Sequence, residues 1–170
     1  MTAVLSDTES AFLISARTAT LATIAPDSRP RLVPICFVLA DGDGDRPPTL
    51  YTPLDEKPKS TTDPRDLARV RDIRERPAVT LLVDRWSEDW SQLAWLRIQG
   101  RAALVEPRRN DAHLAVIIGR LRAKYPQYVD QALESRPIIA VTIERATSWG
   151  SISPSRSGHA GRSGGRGCRR

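Results

Sequence analysis

Apolar and polar positions follow two rhythms along this chain, and the short strand-like one recurs most often. Residues 19–24 form an apolar, threonine-rich run and residues 31–39 another, and between them Ala25-Pro26-Asp27-Ser28 has turn chemistry, which predicts a hairpin. The segment Asp41-Gly42-Asp43-Gly44-Asp45 is too glycine-rich and charged for a strand, and Pro47-Pro48 then delivers the chain into a third strand at Thr49-Leu50-Tyr51. Residues 78–83 predict a fourth strand. Residues 93–105 read as one long extended segment in which Gly100 marks a bend or bulge, and residues 138–143, after Pro137, as the last strand.

Helical spacing appears at three places. Ser6, with Glu9 three residues on and Phe12, Leu13 and Ile14 behind it, forms a capping box that predicts a helix over Asp7–Ser15. Residues 61–76 repeat Leu67, Val70 and Ile73 at helical spacing, with Asp63 before Pro64 as the start and Pro77 as the stop, giving a basic amphipathic helix. Residues 110–123 gather Leu114, Ile117, Ile118 and Leu121 on one helical face. The order α-β-β-β-α-β-β-α-β, with short turns between most strands, predicts a mainly β, α+β fold: a six-stranded antiparallel barrel with short peripheral helices, not a doubly wound parallel sheet. No internal repeat is evident.

Length and composition narrow this picture. The chain has 170 residues, 40% of them hydrophobic, which suits one globular domain over residues 1–150. Residues 151–170, nearly all Ser, Gly and Arg, have almost nothing apolar to bury and predict a disordered tail. The net charge of +6 includes five tail arginines, Arg156, Arg162, Arg166, Arg169 and Arg170, and the body alone carries +1. A nearly neutral body argues against nucleic-acid binding, except through the tail as a rival reading. No apolar run is long enough for a bilayer and no leader pattern opens the chain, so a cytoplasmic protein without membrane association is expected. Cys36, in an apolar run, reads as a small core residue, and with Cys168 it makes neither a disulfide framework nor a metal motif.

Candidate chemistry is sparse. His113 and His159 lack partners in sequence, no glycine-flanked nucleophile or phosphate loop follows a strand, and Asp55-Glu56 and Glu88-Asp89 are adjacent pairs that cannot share a strand face. The segment from Tyr51 to Lys59 is more suggestive: Thr52 can donate a hydrogen bond to a phosphate and Lys57 or Lys59 can supply charge, the plain alternative being solvated loop lysines. Trp86, Trp90, Trp95 and Trp149 predict packed core positions in the first instance.

These segments together resemble a known family. Arg29-Pro30-Arg31-Leu32-Val33-Pro34-Ile35, the strand end Leu50-Tyr51-Thr52 with lysine after it, the helix-to-strand passage Arg74-Glu75-Arg76-Pro77-Ala78-Val79-Thr80-Leu81, and Leu96-Arg97-Ile98-Gln99-Gly100-Arg101-Ala102 are similar to the pyridoxamine 5'-phosphate oxidase-like split-barrel proteins. More narrowly, they resemble the deazaflavin (coenzyme F420) dependent branch found in actinobacteria. The resemblance implies an oxidoreductase that works as a homodimer, with its cofactor between subunits and hydride transfer to or from a small organic substrate. It implies no catalytic side chain and no metal, a ring system bordered by Arg31, Leu32, Val33 and Pro34, and a phosphate held by Thr52 with Lys57 or Lys59. Trp86 and Trp90 would wall the partner's site, and Arg69, Arg71 and Arg74 would meet an anionic cofactor tail. Asp55-Glu56 stands where flavin-binding members often keep an arginine, which weighs against FMN, the alternative cofactor; a non-catalytic F420 carrier is a further alternative.

Overall fold

The computed structural model describes residues 4–42, 46–54 and 63–152. Helix α1 spans Asp7–Ser15, and both hydrogen bonds of its capping box form, Ser6 Oγ accepting from the Glu9 amide while the Glu9 carboxylate accepts from the Ser6 amide. Strands β1 (Ala19–Ile24) and β2 (Pro30–Ile35) make the expected hairpin, with Ser28 at φ 65° in its turn. The remaining strands are β3 (Val38–Ala40), β4 (Thr49–Pro53), β5 (Ala78–Arg85), β6 (Ala94–Val105) and β7 (Ile138–Gly150). Helices α2 (Ala68–Glu75) and α3 (Ala112–Lys124) complete the framework.

All seven strands form one antiparallel sheet in the order β2-β1-β5-β6-β7-β4-β3. The two end strands, β2 and β3, are separated in sequence only by Cys36 and Phe37. The chain itself therefore bridges the two edges of the sheet, which curls into a split barrel without a closing ladder. The single strand expected at residues 31–39 divides at this break, which is why there are seven strands and not six. At the break Tyr125 stands in for a sheet neighbour: its Oη accepts from the Phe37 amide at 3.0 Å and lies 2.8 Å from the carbonyls of both Phe37 and Arg17, to one of which it donates.

Two other expectations change. The helix expected over 61–76 is a 3-10 turn, Pro64–Asp66, followed by α2, because Leu67 between them is extended at ψ 137°. Asp63 does cap, accepting from the Arg65 amide. Strand β7 runs to Gly150 and not to Ile143, since its second half pairs with Ala94–Gln99 of β6. A register shift falls between Gln99 and Gly100, where Glu144 is the extra residue of β7, as the glycine led us to expect.

The core lies inside the curl. Alternate residues of β1, β5 and β6, among them Leu21, Leu81, Val83, Leu96 and Ile98, are at 0% exposure, and α1 and α2 add Phe12, Leu13, Val70 and Ile73. A second cluster packs α3, through Leu114, Ile117, Ile118 and Leu121, against Val38, Ile138 and Tyr128. Among the described residues no helix is long and apolar enough to cross a membrane.

Candidate functional site

The strand period of two sorts the four residues expected to border a ring. On β2, Arg31 and Val33 turn toward the barrel, whereas Leu32, 64% exposed, and Pro34 stand on its outer surface. Val33 packs against the core. Arg31 Nε lies 2.8 Å from Oδ2 of Asp72, a carboxylate of α2 at 2% exposure that also accepts from the buried Thr23 hydroxyl at 2.8 Å. This contact ties β2 and β1 to α2, so Nε of Arg31 is committed and only its Nη groups are left for other acceptors. Asp72 escaped sequence reasoning, although a carboxylate between Val70 and Ile73 on an apolar helix face was a readable signal of a buried pair.

The outer surface continues from β2 across the sheet. Pro34 pairs with Thr20, Thr20 with Leu82, Leu82 with Arg97 and Arg97 with Thr147. One row over, Asp84 pairs with Trp95 and Trp95 with Trp149. Leu82 is 41% exposed, Trp149 55%, and Trp86 and Trp90 at the β5–β6 connection 72% and 79%, which corrects the expectation that the tryptophans fill the core. A cleft of about 400 Å³ opens among Leu82, Trp86, Trp95, Arg97 and Trp149, and another of about 500 Å³ among Ala22, Thr80, Gln99, Glu144 and Arg145. Neither is lined by Arg31, Leu32, Val33, Pro34 or Thr52.

Thr52 sits on β4, paired with Ile139 and one residue past the last β3–β4 pair, Val38 with Tyr51. That register puts it beside the β2–β3 break, so the topology brings the end of β2 and the end of β4 to one seam. Its side chain faces the barrel and the residue is only 4% exposed. Lys57, Lys59, Asp55 and Glu56 lie outside the described residues. Arg71 and Arg74 are exposed on α2. Tyr51, the neighbour of Thr52, faces the opposite way and meets His113. No group of three or more His, Cys, Asp or Glu suited to a metal occurs among the described residues.

Comparison with known proteins adds a family. Residues 5–150 match the family described as Pyridoxamine 5'-phosphate oxidase. Among solved structures, a conserved hypothetical protein from Mycobacterium tuberculosis is similar at 24% identity and a TM-score of 0.63, over 87% of this chain and 86% of that one. An F420 reductase is similar at 20% identity and a TM-score of 0.55, over 81% and 94%. The haem storage protein HutZ from Vibrio cholerae matches at 14% identity and a TM-score of 0.56, over 82% and 89%. At these identities the structures speak for the fold alone. No curated protein matches the chain.

Proposed function

The chain belongs to the pyridoxamine 5'-phosphate oxidase family, and from that premise we propose that it is an oxidoreductase that binds coenzyme F420 between two copies of itself. The observation that carries this reading is the uncovered apolar surface running from Leu32 and Pro34 on the edge strand to Leu82, Trp86 and Trp149. Single exposed apolar residues are ordinary on a surface, but Leu82, Trp86, Trp95 and Trp149 line one cleft, and such a cluster marks a place where something else is bound. Planar, weakly polar side chains on a rigid sheet suit a flat ring system on one side and a second subunit around it.

When bound, the cofactor supplies the two-electron hydride chemistry. The chain's own contribution is binding, orientation and exclusion of water. Leu32 and Pro34 offer the ring an apolar bed fixed by the β1–β2 ladder, and the Asp72 contact of Arg31 holds that strand against α2. Lys57 or Lys59 supplies positive charge to the phosphate, with Thr52 donating a hydrogen bond at the same seam. The burial of Thr52 means that its hydroxyl serves only a group that enters between the strand ends. Tyr51, on the other side of β4, is turned away from that seam and meets His113.

The test is a fluorescence titration of the full chain with coenzyme F420 and, separately, with FMN. Trp86, Trp90 and Trp149 on the exposed face are the reporters. The account expects saturable quenching by F420, weakened about tenfold or more by Lys57→Ala or Lys59→Ala, the loss of one charge-assisted contact. Saturation by FMN alone would move the protein to the flavin members of the family, binding of F420 without turnover with any acceptor would make it a carrier, and response to neither would overturn the reading.

A further inference from the structure

The side of β4 opposite Thr52 carries a second constellation, independent of the cofactor. Tyr51 Oη lies 2.9 Å from Nε2 of His113, in the first turn of α3, and the two rings meet edge to face with centroids 5.7 Å apart. The other imidazole nitrogen, Nδ1, lies 3.4 Å from Nη1 of Arg46. A guanidinium can only donate, so Nδ1 accepts. The neutral ring then carries its hydrogen on Nε2 and gives it to Tyr51 Oη. The phenolic hydrogen of Tyr51 is left for a third partner. Burial holds this hydroxyl above its ordinary pKa, with Arg46 pulling it down and Asp111 pushing it up, so at neutral pH it is a donor.

These groups border a cleft of about 160 Å³ between α3 and residues 40, 41, 46, 47, 49 and 51. Arg120 of α3 forms another wall, and its Nη1 donates to the Leu39 carbonyl at 3.1 Å, which fixes the guanidinium and leaves its other N–H groups. Among the described residues that line the cleft, Asp41 is the one carboxylate, against the two guanidiniums of Arg46 and Arg120. Among the described residues neither guanidinium is ion-paired with a carboxylate. Ala40, Ile117 and Val116, the last 54% exposed, supply an apolar rim. The volume is well below that of a site for a ring system and suits one small polar group.

We propose that this cleft binds a single oxyanion group, a carboxylate or a phosphate, clasped by Arg46, Arg120 and the Tyr51 hydroxyl, with His113 as the residue that orients the tyrosine. Arginine forks match the geometry of both oxyanions, and a hydroxyl aimed by a fixed imidazole adds a directional third donor. Because Tyr51 and Thr52 are successive residues of one strand, their side chains serve opposite sides of the sheet, and this site is distinct from the cofactor seam.

His113 is its own reporter. The chain has two histidines, and His159→Gln leaves His113 as the single imidazole signal in an NMR spectrum of the full chain. Inorganic phosphate and acetate are titrated in turn at constant ionic strength. The expected result is a saturable shift of the His113 ring resonances, weakened about tenfold in Arg120→Gln and in Tyr51→Phe but unchanged in Arg29→Gln, a remote exposed arginine. A response to phosphate alone identifies a tetrahedral ligand and a response to acetate alone a planar one. Linear, non-saturating shifts with both anions, or equal weakening by Arg29→Gln, would overturn the proposal. Arg120 is exposed, so its variant carries the test if Tyr51→Phe disturbs the fold.

Discussion

Lys124 shows how placement sets the behaviour of one residue. It ends α3 with its Nζ 4.4 Å from the centre of the Phe37 ring and 5.5 Å from that of Tyr125, beside the break between β2 and β3. Burial, and then the nearby charge of Arg17, bring its pKa down from 10.5 to about 8. Between those values the unfolded chain holds the proton more tightly than the folded one, so stability rises with pH across that interval. Tyr125, raised from 10.0 to about 12, acts in the opposite sense above pH 10 and sets the upper limit of a clean measurement. Urea unfolding from about pH 7.5 to 9.5 should show wild type gaining on Lys124→Met as pH rises; parallel profiles would contradict the placement. None of this was legible in the sequence, where Lys124 is one more basic residue at a helix end. By contrast the Ser6–Glu9 capping box was fully legible, because both partners lie within three residues of one another.

At the scale of elements, local chemistry predicted α1 and β1 to the residue, and what it missed was decided by distant partners. The run 31–39 looks continuous, and it breaks because Tyr125, 88 residues away from Phe37, takes the backbone groups of that position. The second half of β7 was not recognised because Glu144–Gly150 lacks a clear apolar alternation and is held by its ladder to β6. Gly100 marks the place of the bulge, whose extra residue is Glu144 on the facing strand, and glycine is needed there for close approach: a Cβ would collide with the Thr142 carbonyl across the ladder. Gly119, in α3, has nothing within 4 Å of that position. The two glycines therefore predict opposite signs. Gly100→Ala should cost about 1–3 kcal/mol through overpacking, whereas Gly119→Ala should stabilise by about 0.4–1 kcal/mol. Denaturant midpoints of the two variants decide it, and a neutral Gly100→Ala would show that the bulge relaxes freely.

For the whole molecule, the chain's pattern told which residues alternate but not what covers their outer side. Leu82 sits in a run that is apolar on both faces, and the tryptophans read equally well as core, so the sequence alone does not mark them as exposed. The β2 side of the seam was reached from the sequence only through the family resemblance, whereas Thr52 stood out by its hydroxyl and the lysines that follow it. Of its expected residues, Leu32 and Pro34 face outward, Arg31 is bound to Asp72, and Thr52 is buried at the strand end. The central claim is that cofactor and second copy share the exposed sheet face. Sedimentation velocity of the full chain with coenzyme F420, recorded at the cofactor's own absorbance, tests it most directly. The account predicts that the cofactor travels with a species of twice the 18.8 kDa chain mass, and that Leu82→Asp abolishes both the dimer and the co-migrating absorbance. Cofactor travelling with a monomer, or a Leu82→Asp dimer that still carries it, would contradict the account.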